Sequence, residues 1–368
     1  MLDDLLVGQK ILANNLKETA KRKQLPHFQI FIDENGYGGL ALSLLVAGEI
    51  LNAQTHQALF NHPDLHFVFP VINNSSSGSK SISSDFLDLW RGFCENPYGS
   101  YDDWMQLLSA GNKQGLIGKH EIESLHKKIA LKAYSGGAKV VVLWGAETLN
   151  ETAANKMLKI LEEPPAQTFF IFVASDAKKL LSTIQSRGQI SVLHPLKQEE
   201  IIAGLVTNQI PIEQAQNIAS RSDGSWHKAL AFTTNSSAEQ NYESLWIKGL
   251  RSAFQAKNNK GIVLELMQWA EELSRLQRPE QIAFVQYALD FIRHGMLYSY
   301  GASKASTFHS FHNFDINRFA PFINGANVIE LVTLLDQSHY HLVRNANAKI
   351  LFSDLALKLT RLLHQKEV

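Results

Sequence analysis

A single cysteine, Cys94, stands in 368 residues, which excludes an internal disulfide and any zinc module built on cysteines. Neither sign of charge is in excess: 35 basic and 35 acidic side chains cancel, whereas a dedicated nucleic-acid binder carries a basic surplus. No apolar run approaches the roughly 18 residues of a membrane span, and Met1-Leu2-Asp3-Asp4 does not open a secretory signal. What is present is core-forming material: 45% hydrophobic against 19% charged residues set the chain apart from disordered ones. At roughly 100–200 residues per domain, the length points to two or three domains. The expectation is a multidomain, cytoplasmic protein of a reducing compartment, without membrane contact.

Short runs rich in Val, Ile and Phe recur through the first half: Phe28–Ile32, His66–Val71, Lys139–Trp144, Thr168–Val173 and Gln189–Leu193. Continuous apolar runs of this length suit strands covered on both faces, and helical segments between them imply right-handed crossovers and a parallel sheet. One intervening helix is well marked. Asn150 is a plausible N-cap, Ala154, Met157, Leu158 and Leu161 form one apolar stripe, and Pro164-Pro165 stops it. The polar stretch Asn73–Ser81 reads as a surface loop. After about residue 196 only helical spacing remains, as at Ile262, Leu266, Trp269, Ala270 and Leu273. The fold class is therefore α/β with a parallel sheet over residues 1–195, a small helical domain over 196–238, and an all-α helical bundle over 239–368. Trp90, Trp104, Trp246 and Trp269 read as core or interface anchors, and Lys17, Lys21, Arg22 and Lys23 as a solvated helix face.

A strand, a glycine turn and a helix early in an α/β domain suggest a phosphate cradle of the pattern G-x-x-x-x-G-K-[ST]. The register here reads Asp33-Glu34-Asn35-Gly36-Tyr37-Gly38-Gly39-Leu40. Gly39 stands where the phosphate-binding Lys belongs, Leu40 where the Mg²⁺-holding hydroxyl belongs, and Asp33 replaces the first Gly. Two carboxylates, Asp33 and Glu34, would repel a triphosphate. The third strand should end in an acid that positions Mg²⁺ and water; it ends in Trp144-Gly145. The turn thus reads as structural, with no nucleotide or other cofactor expected.

The spacing identifies a family. Lys139–Asn150 with Asn155–Pro165 closely resembles the clamp-loader branch of the AAA+ proteins, and Ser182-Thr183-Ile184-Gln185-Ser186-Arg187-Gly188 resembles its Ser-Arg-Cys motif with Gly for Cys. Val7-Gly8-Gln9 and His27 match near the start; Thr168–Ser175 is similar to the strand ending at sensor 1. Asp223–Leu230 is similar to the sensor 2 helix, with His227 at the usual Arg position. The likeness is strong over about residues 5–235 and architectural beyond.

An empty P-loop beside a retained Ser-Arg motif resembles the delta-prime family of bacterial DNA polymerase III. That resemblance implies a non-catalytic subunit, with an AAA+ domain, a helical lid and a helical collar. It implies Arg187, with Ser186, as an arginine finger offered in trans to ATP on a neighbouring motor subunit. It implies motor and delta-type subunits as partners, and indirectly the sliding clamp and primer-template DNA. Taken alone, Arg187 would read as a helix cap or the partner of a carboxylate. Family members commonly carry a four-Cys zinc module; with Cys94 alone that module cannot be metallated, and no metal is expected. His62-Pro63-Asp64-Leu65-His66 offers no substitute, because Pro63 disfavours a helix aligning the two imidazoles. The competing readings are an active AAA+ ATPase with an atypical P-loop, and a helical scaffold unrelated to replication.

Overall fold

The computed structural model describes residues 2–72, 81–111, 113–134, 137–234, 236–256, 259, 261–303, 306, 308 and 310–365. The chain divides into two compact units, Met1–Ala231 and Phe232–Val368. All of the stretch Asn73–Ser81 but its last residue lies outside the described residues.

The first unit is built on five parallel strands: β1 Phe28–Ile32, β2 Leu65–Val68, β3 Lys139–Trp144, β4 Thr168–Ala174 and β5 Gln189–Val192. Their order across the sheet is β2-β3-β4-β1-β5. Every residue of β1 and β3 is buried, which explains why these runs do not alternate. The pleat still sorts their side chains. Phe31, Val142 and Val173 join the core beneath helix Gly39–Leu51, whereas Ile30, Val141 and Phe172 join the core beneath helices Lys119–Ala130 and Glu151–Glu162. Helix Gly39–Leu51 is apolar nearly all round because the sheet and helix Lys10–Lys21 cover it.

The edge strands depart from the expectation of cover on both faces. Ile190 and Val192 of β5 are 40% and 50% exposed, as befits a strand paired on one side only. β2 stops at Val68, short of the expected Val71, because the Phe69 N–H leaves the sheet to donate to Ser83 Oγ at 3.0 Å. Pro70 then has no N–H to offer. Between β4 and β5 the chain forms a 3₁₀ turn, Ala177–Lys179, and a short helix, Ser182–Gln185. Helix Glu151–Glu162 begins as expected, with Asn150 Oδ1 accepting the Ala153 N–H at 2.8 Å. Helices Gln198–Thr207, Ile212–Arg221 and the start of Trp226–Thr234 complete this unit.

The second unit is helical among its described residues, with helices at Ser236–Ala256, Ile262–Ser274, Arg278–Ser299, Ile316–Phe319, Val328–Val343 and Ala348–Leu362. Trp246, Trp269, Phe284, Phe291 and Phe352 form the centre of its core, and Trp269 Nε1 donates to the Leu245 carbonyl at 2.7 Å. The four tryptophans read as anchors, Trp90, Trp104, Trp246 and Trp269, are all fully buried. Among the described residues, no helix is long and apolar enough to cross a membrane.

Candidate functional site

The chain leaves β1 at Ile32 and turns through Asp33–Gly38 into helix Gly39–Leu51. Gly36 and Gly38 have φ of 72° and 111°, a region where glycine carries no Cβ penalty. The turn directs successive N–H groups inward, as an anion cradle at a helix N-terminus does. An anion of this chain already fills it. Asp33 Oδ1 accepts the Tyr37 N–H at 2.6 Å, and Asp33 Oδ2 accepts the Gly38 and Gly39 N–H groups at 3.1 and 2.7 Å. The carboxylate satisfies orphan donors of the helix start and complements its dipole.

This refines the sequence reading of Asp33 and Glu34 as a repelling pair. Asp33 acts by occupancy, while Glu34 is exposed. Occupancy also explains Gly39: a Cβ there would lie 2.8 Å from Asp33 Cβ and 3.0 Å from Val173 Cγ1. The lysine of an ordinary P-loop does not fit while Asp33 holds the cradle. Leu40, in place of the metal-binding hydroxyl, is buried in the core.

The turn is covered from outside by the same unit. Ser225 Oγ donates to the Asn35 carbonyl at 2.5 Å, and the His227 N–H approaches the Gly36 carbonyl at 3.4 Å. A Cβ on Gly36 would stand 2.5 Å from His227 Cβ, so helix Trp226–Thr234 rests directly on the turn. His227 Nδ1 lies 2.9 Å from the Tyr98 carbonyl, and the Tyr98 hydroxyl accepts the Val7 N–H at 2.7 Å. Burial, opposed by that hydrogen bond and reinforced by the Asp33 charge, pushes the Tyr98 phenol well above its usual pKa. His227 therefore sits where the family resemblance put a sensor 2 arginine, but it locks a turn.

At the end of β3, Trp144 is 7% exposed and its ring centroid lies 5.4 Å from Trp90 and 5.3 Å from Phe93. Gly145 has a φ of 71°, and a Cβ there would meet Pro70 Cδ at 3.1 Å. An aromatic cluster and a left-handed glycine thus stand where metal-positioning acids would be. Ser175, after β4, donates to Glu147 Oε1 at 2.6 Å.

Arg187 lies between helix Ser182–Gln185 and the edge strand β5, partly exposed. One guanidinium nitrogen donates to the Thr183 carbonyl at 2.8 Å and another pairs with Glu162. Ser186 Oγ donates to the same Thr183 carbonyl at 3.2 Å. Gly188 occupies the motif's Cys position because a Cβ there would stand 2.6 Å from Ile30 Cδ1 and 2.9 Å from Phe28 Cε1. The structure thus gathers Asp33, Gly36, Gly38 and Gly39 into one filled cradle and sets Trp144 in an aromatic core. Sequence reading missed Tyr98 altogether; for Arg187 it offered a helix cap or a carboxylate partner, and the structure shows both contacts, the acid being Glu162. Glu162 lies within the stretch Asn155–Pro165 that carries the family resemblance, whereas nothing in the sequence pointed to Tyr98. On the basic face of helix Lys10–Lys21, Lys17 pairs with Asp3, and Arg22 lies 3.5 Å from Glu18.

A family model described as DNA polymerase III, delta subunit, matches residues 8–197. The DNA polymerase III subunit delta' of Haemophilus influenzae is 40% identical over 91 residues, covering 25% of this chain and 27% of that protein. Its Escherichia coli counterpart is 35% identical over 107 residues, 29% of this chain and 32% of that protein. The chain thus matches about a quarter to a third of the length of these curated relatives. Among solved structures, a DNA polymerase III gamma subunit-related protein from Thermotoga maritima has a TM-score of 0.44 at 15% identity, covering 96% of this chain and 99% of that one. With its family model spanning most of the first unit, and with these relatives named as delta-prime subunits, the chain belongs to the DNA polymerase III delta-subunit family, in its delta-prime branch.

Proposed function

We propose that this chain is a non-catalytic, delta-prime-type subunit of the DNA polymerase III clamp loader, which helps place the sliding clamp on primed DNA during replication. The observation that carries the reading is the Asp33 carboxylate, which holds the cradle N–H groups that a nucleotide phosphate would need. With Trp144 and Gly145 at the end of β3, the groups required to position metal and water are replaced as well. Residues 1–195 would serve as the AAA+ domain, 196–238 as the lid and 239–368 as the collar that joins motor and delta-type subunits.

In this reading Arg187 acts on ATP held by a neighbouring subunit. Its planar, permanently charged fork suits bidentate contact with γ-phosphate oxygens. It must first leave Glu162, and a partly exposed ion pair of this kind is worth only about 0–1 kcal/mol. An arginine finger that meets transition-state charge accelerates hydrolysis by about 10³–10⁵. The test is reconstitution with motor and delta-type subunits, clamp and primed DNA. Clamp-stimulated hydrolysis that depends on Arg187 supports the proposal; a complex that forms and loads clamps equally well without this chain refutes it.

A further inference from the structure

Away from the phosphate turn, the segment His62-Pro63-Asp64-Leu65-His66 brings both imidazoles to the wall of one cavity of about 290 Å³ beside the edge strand β2. No helix aligns them; the chain turns at Pro63 and enters the strand, and the two residues line one cavity instead. Part of the lining is apolar: Phe60 and Phe67 both contribute, stacked on each other with centroids 5.2 Å apart and planes 22° from parallel, and His56 stacks on Phe60 at 4.2 Å, so the pair offers its ring edges. Leu87 and Leu125 extend that surface.

The charged lining is mostly positive. Arg91 enters from helix Leu87–Phe93 and Lys128 from helix Lys119–Ala130. Arg91 has an outer partner in the fully exposed Asp88 at 3.7 Å. Glu121, the acid of the lining, is 5% exposed and accepts the Ser83 N–H at 2.5 Å. Burial pushes its carboxyl above the usual range, against the Ser83 hydrogen bonds and the Lys128 charge that pull it down. Burial first, then the Lys128 charge, with Asp64 opposing and Lys139 assisting, together lower the His66 imidazole to about 4. The two cations at the rim, Arg91 and Lys128, favour a negative ligand group, and a concavity that mixes apolar walls with a few charged groups is the form of a ligand site.

We propose that this cavity binds a small aromatic anion, its ring face against the edges of the Phe60–Phe67 stack and its negative group between Arg91 and Lys128. The proposal concerns a face separate from the phosphate turn and does not depend on the clamp-loader reading. Bound charge beside His66 must raise that ring's proton affinity, and by reciprocity protonation must strengthen binding. The groups that set the response are His62 and Asp64 ahead of β2, Arg91, Lys128 and Glu121 from the two helices, and Lys139 from β3.

The experiment is an NMR titration of the His66 ring in the full chain at constant ionic strength. The probes are phenyl phosphate, benzoate and phenol, and His66→Gln assigns the signal. The expected result is a saturable shift with phenyl phosphate or benzoate, the tighter of the two identifying the charged group, and none with phenol. The His66 midpoint, about 4 in the free chain, should rise when the anion is bound. The double variant Arg91→Gln/Lys128→Gln changes two exposed side chains and should weaken binding at least about tenfold, each factor of ten being about 1.4 kcal/mol. Absence of saturation with both anions, equal response to phenol, or undiminished affinity in the double variant overturns the proposal.

Discussion

At the end of β1 a carboxylate of the chain itself fills the phosphate cradle, under a cover made by Tyr98, Ser225 and His227. At the start of β5 an arginine stands partly exposed, held by one carbonyl and one carboxylate. The first turn has its donors satisfied internally and little room for a ligand. The second keeps a charged fork at the surface behind a weak latch. In the proposed function, the difference separates a turn closed to nucleotide from a group kept for nucleotide held by another subunit.

The largest expected effect breaks the exposed side of that comparison. If Arg187 is the finger proposed above, Arg187→Ala in the reconstituted loader should slow hydrolysis at the neighbouring motor site by about 10³-fold or more. The isolated variant should unfold within about 1–2 kcal/mol of wild type, since it loses only an exposed ion pair and one exposed hydrogen bond to the Thr183 carbonyl. Arg187→Lys should recover little of the rate, because charge without the fork loses bidentate geometry. Single-turnover hydrolysis paired with urea unfolding checks both halves; a wild-type rate makes the arginine structural only.

The next effect breaks the closed side. Asp33→Ala leaves the N–H groups of Tyr37, Gly38 and Gly39 without their acceptor and should cost about 1–3 kcal/mol. Asp33→Asn, which keeps one acceptor oxygen, should lose less. Added phosphate should raise the Tm of Asp33→Ala and leave wild type unmoved; equal response of both would show that Asp33 does not occupy an anion site. A related substitution, Gly39→Lys, should yield no ATP hydrolysis, because the new side chain meets Asp33 and Trp144 and Gly145 remain unable to handle metal or water.

A pH effect concerns His66. Its imidazole is lowered to about 4 in the folded chain but titrates near its ordinary value of about 6.5 when unfolded. Between these values the unfolded state binds more protons, so stability is lost as pH falls through that window. Replacing His66 with Gln should flatten the dependence of the urea midpoint from pH 6.5 to 4. An unchanged slope would mean that another group carries it. The smallest effect sharpens the latch: Glu162→Gln should change stability by no more than about 0.5–1 kcal/mol and leave loader hydrolysis intact.

Much of this contrast was legible in the sequence, but unevenly. The absences at Gly39, Leu40, Trp144 and Gly145 could be read by register alone, because a missing lysine or acid needs no geometry to be missed. The strands β1, β3 and β4 were also plain, since burial on both faces writes itself as unbroken Val, Ile and Phe. The role of Asp33 was not legible: charge repulsion and occupation of the cradle begin from the same letter, and only backbone direction separates them. Tyr98 reaches the turn from 91 residues beyond Val7, a pairing that no local pattern encodes. His62 and His66 likewise line one cavity through a turn and a strand start, where helical spacing was the wrong ruler.

The central claim is that the cradle is closed to nucleotide by the chain's own carboxylate. Equilibrium titration of the isolated chain with fluorescent ATP, with and without Mg²⁺, tests it most directly. The account predicts no saturable, Mg²⁺-dependent binding up to millimolar nucleotide; a micromolar Kd that strengthens with Mg²⁺ would contradict it.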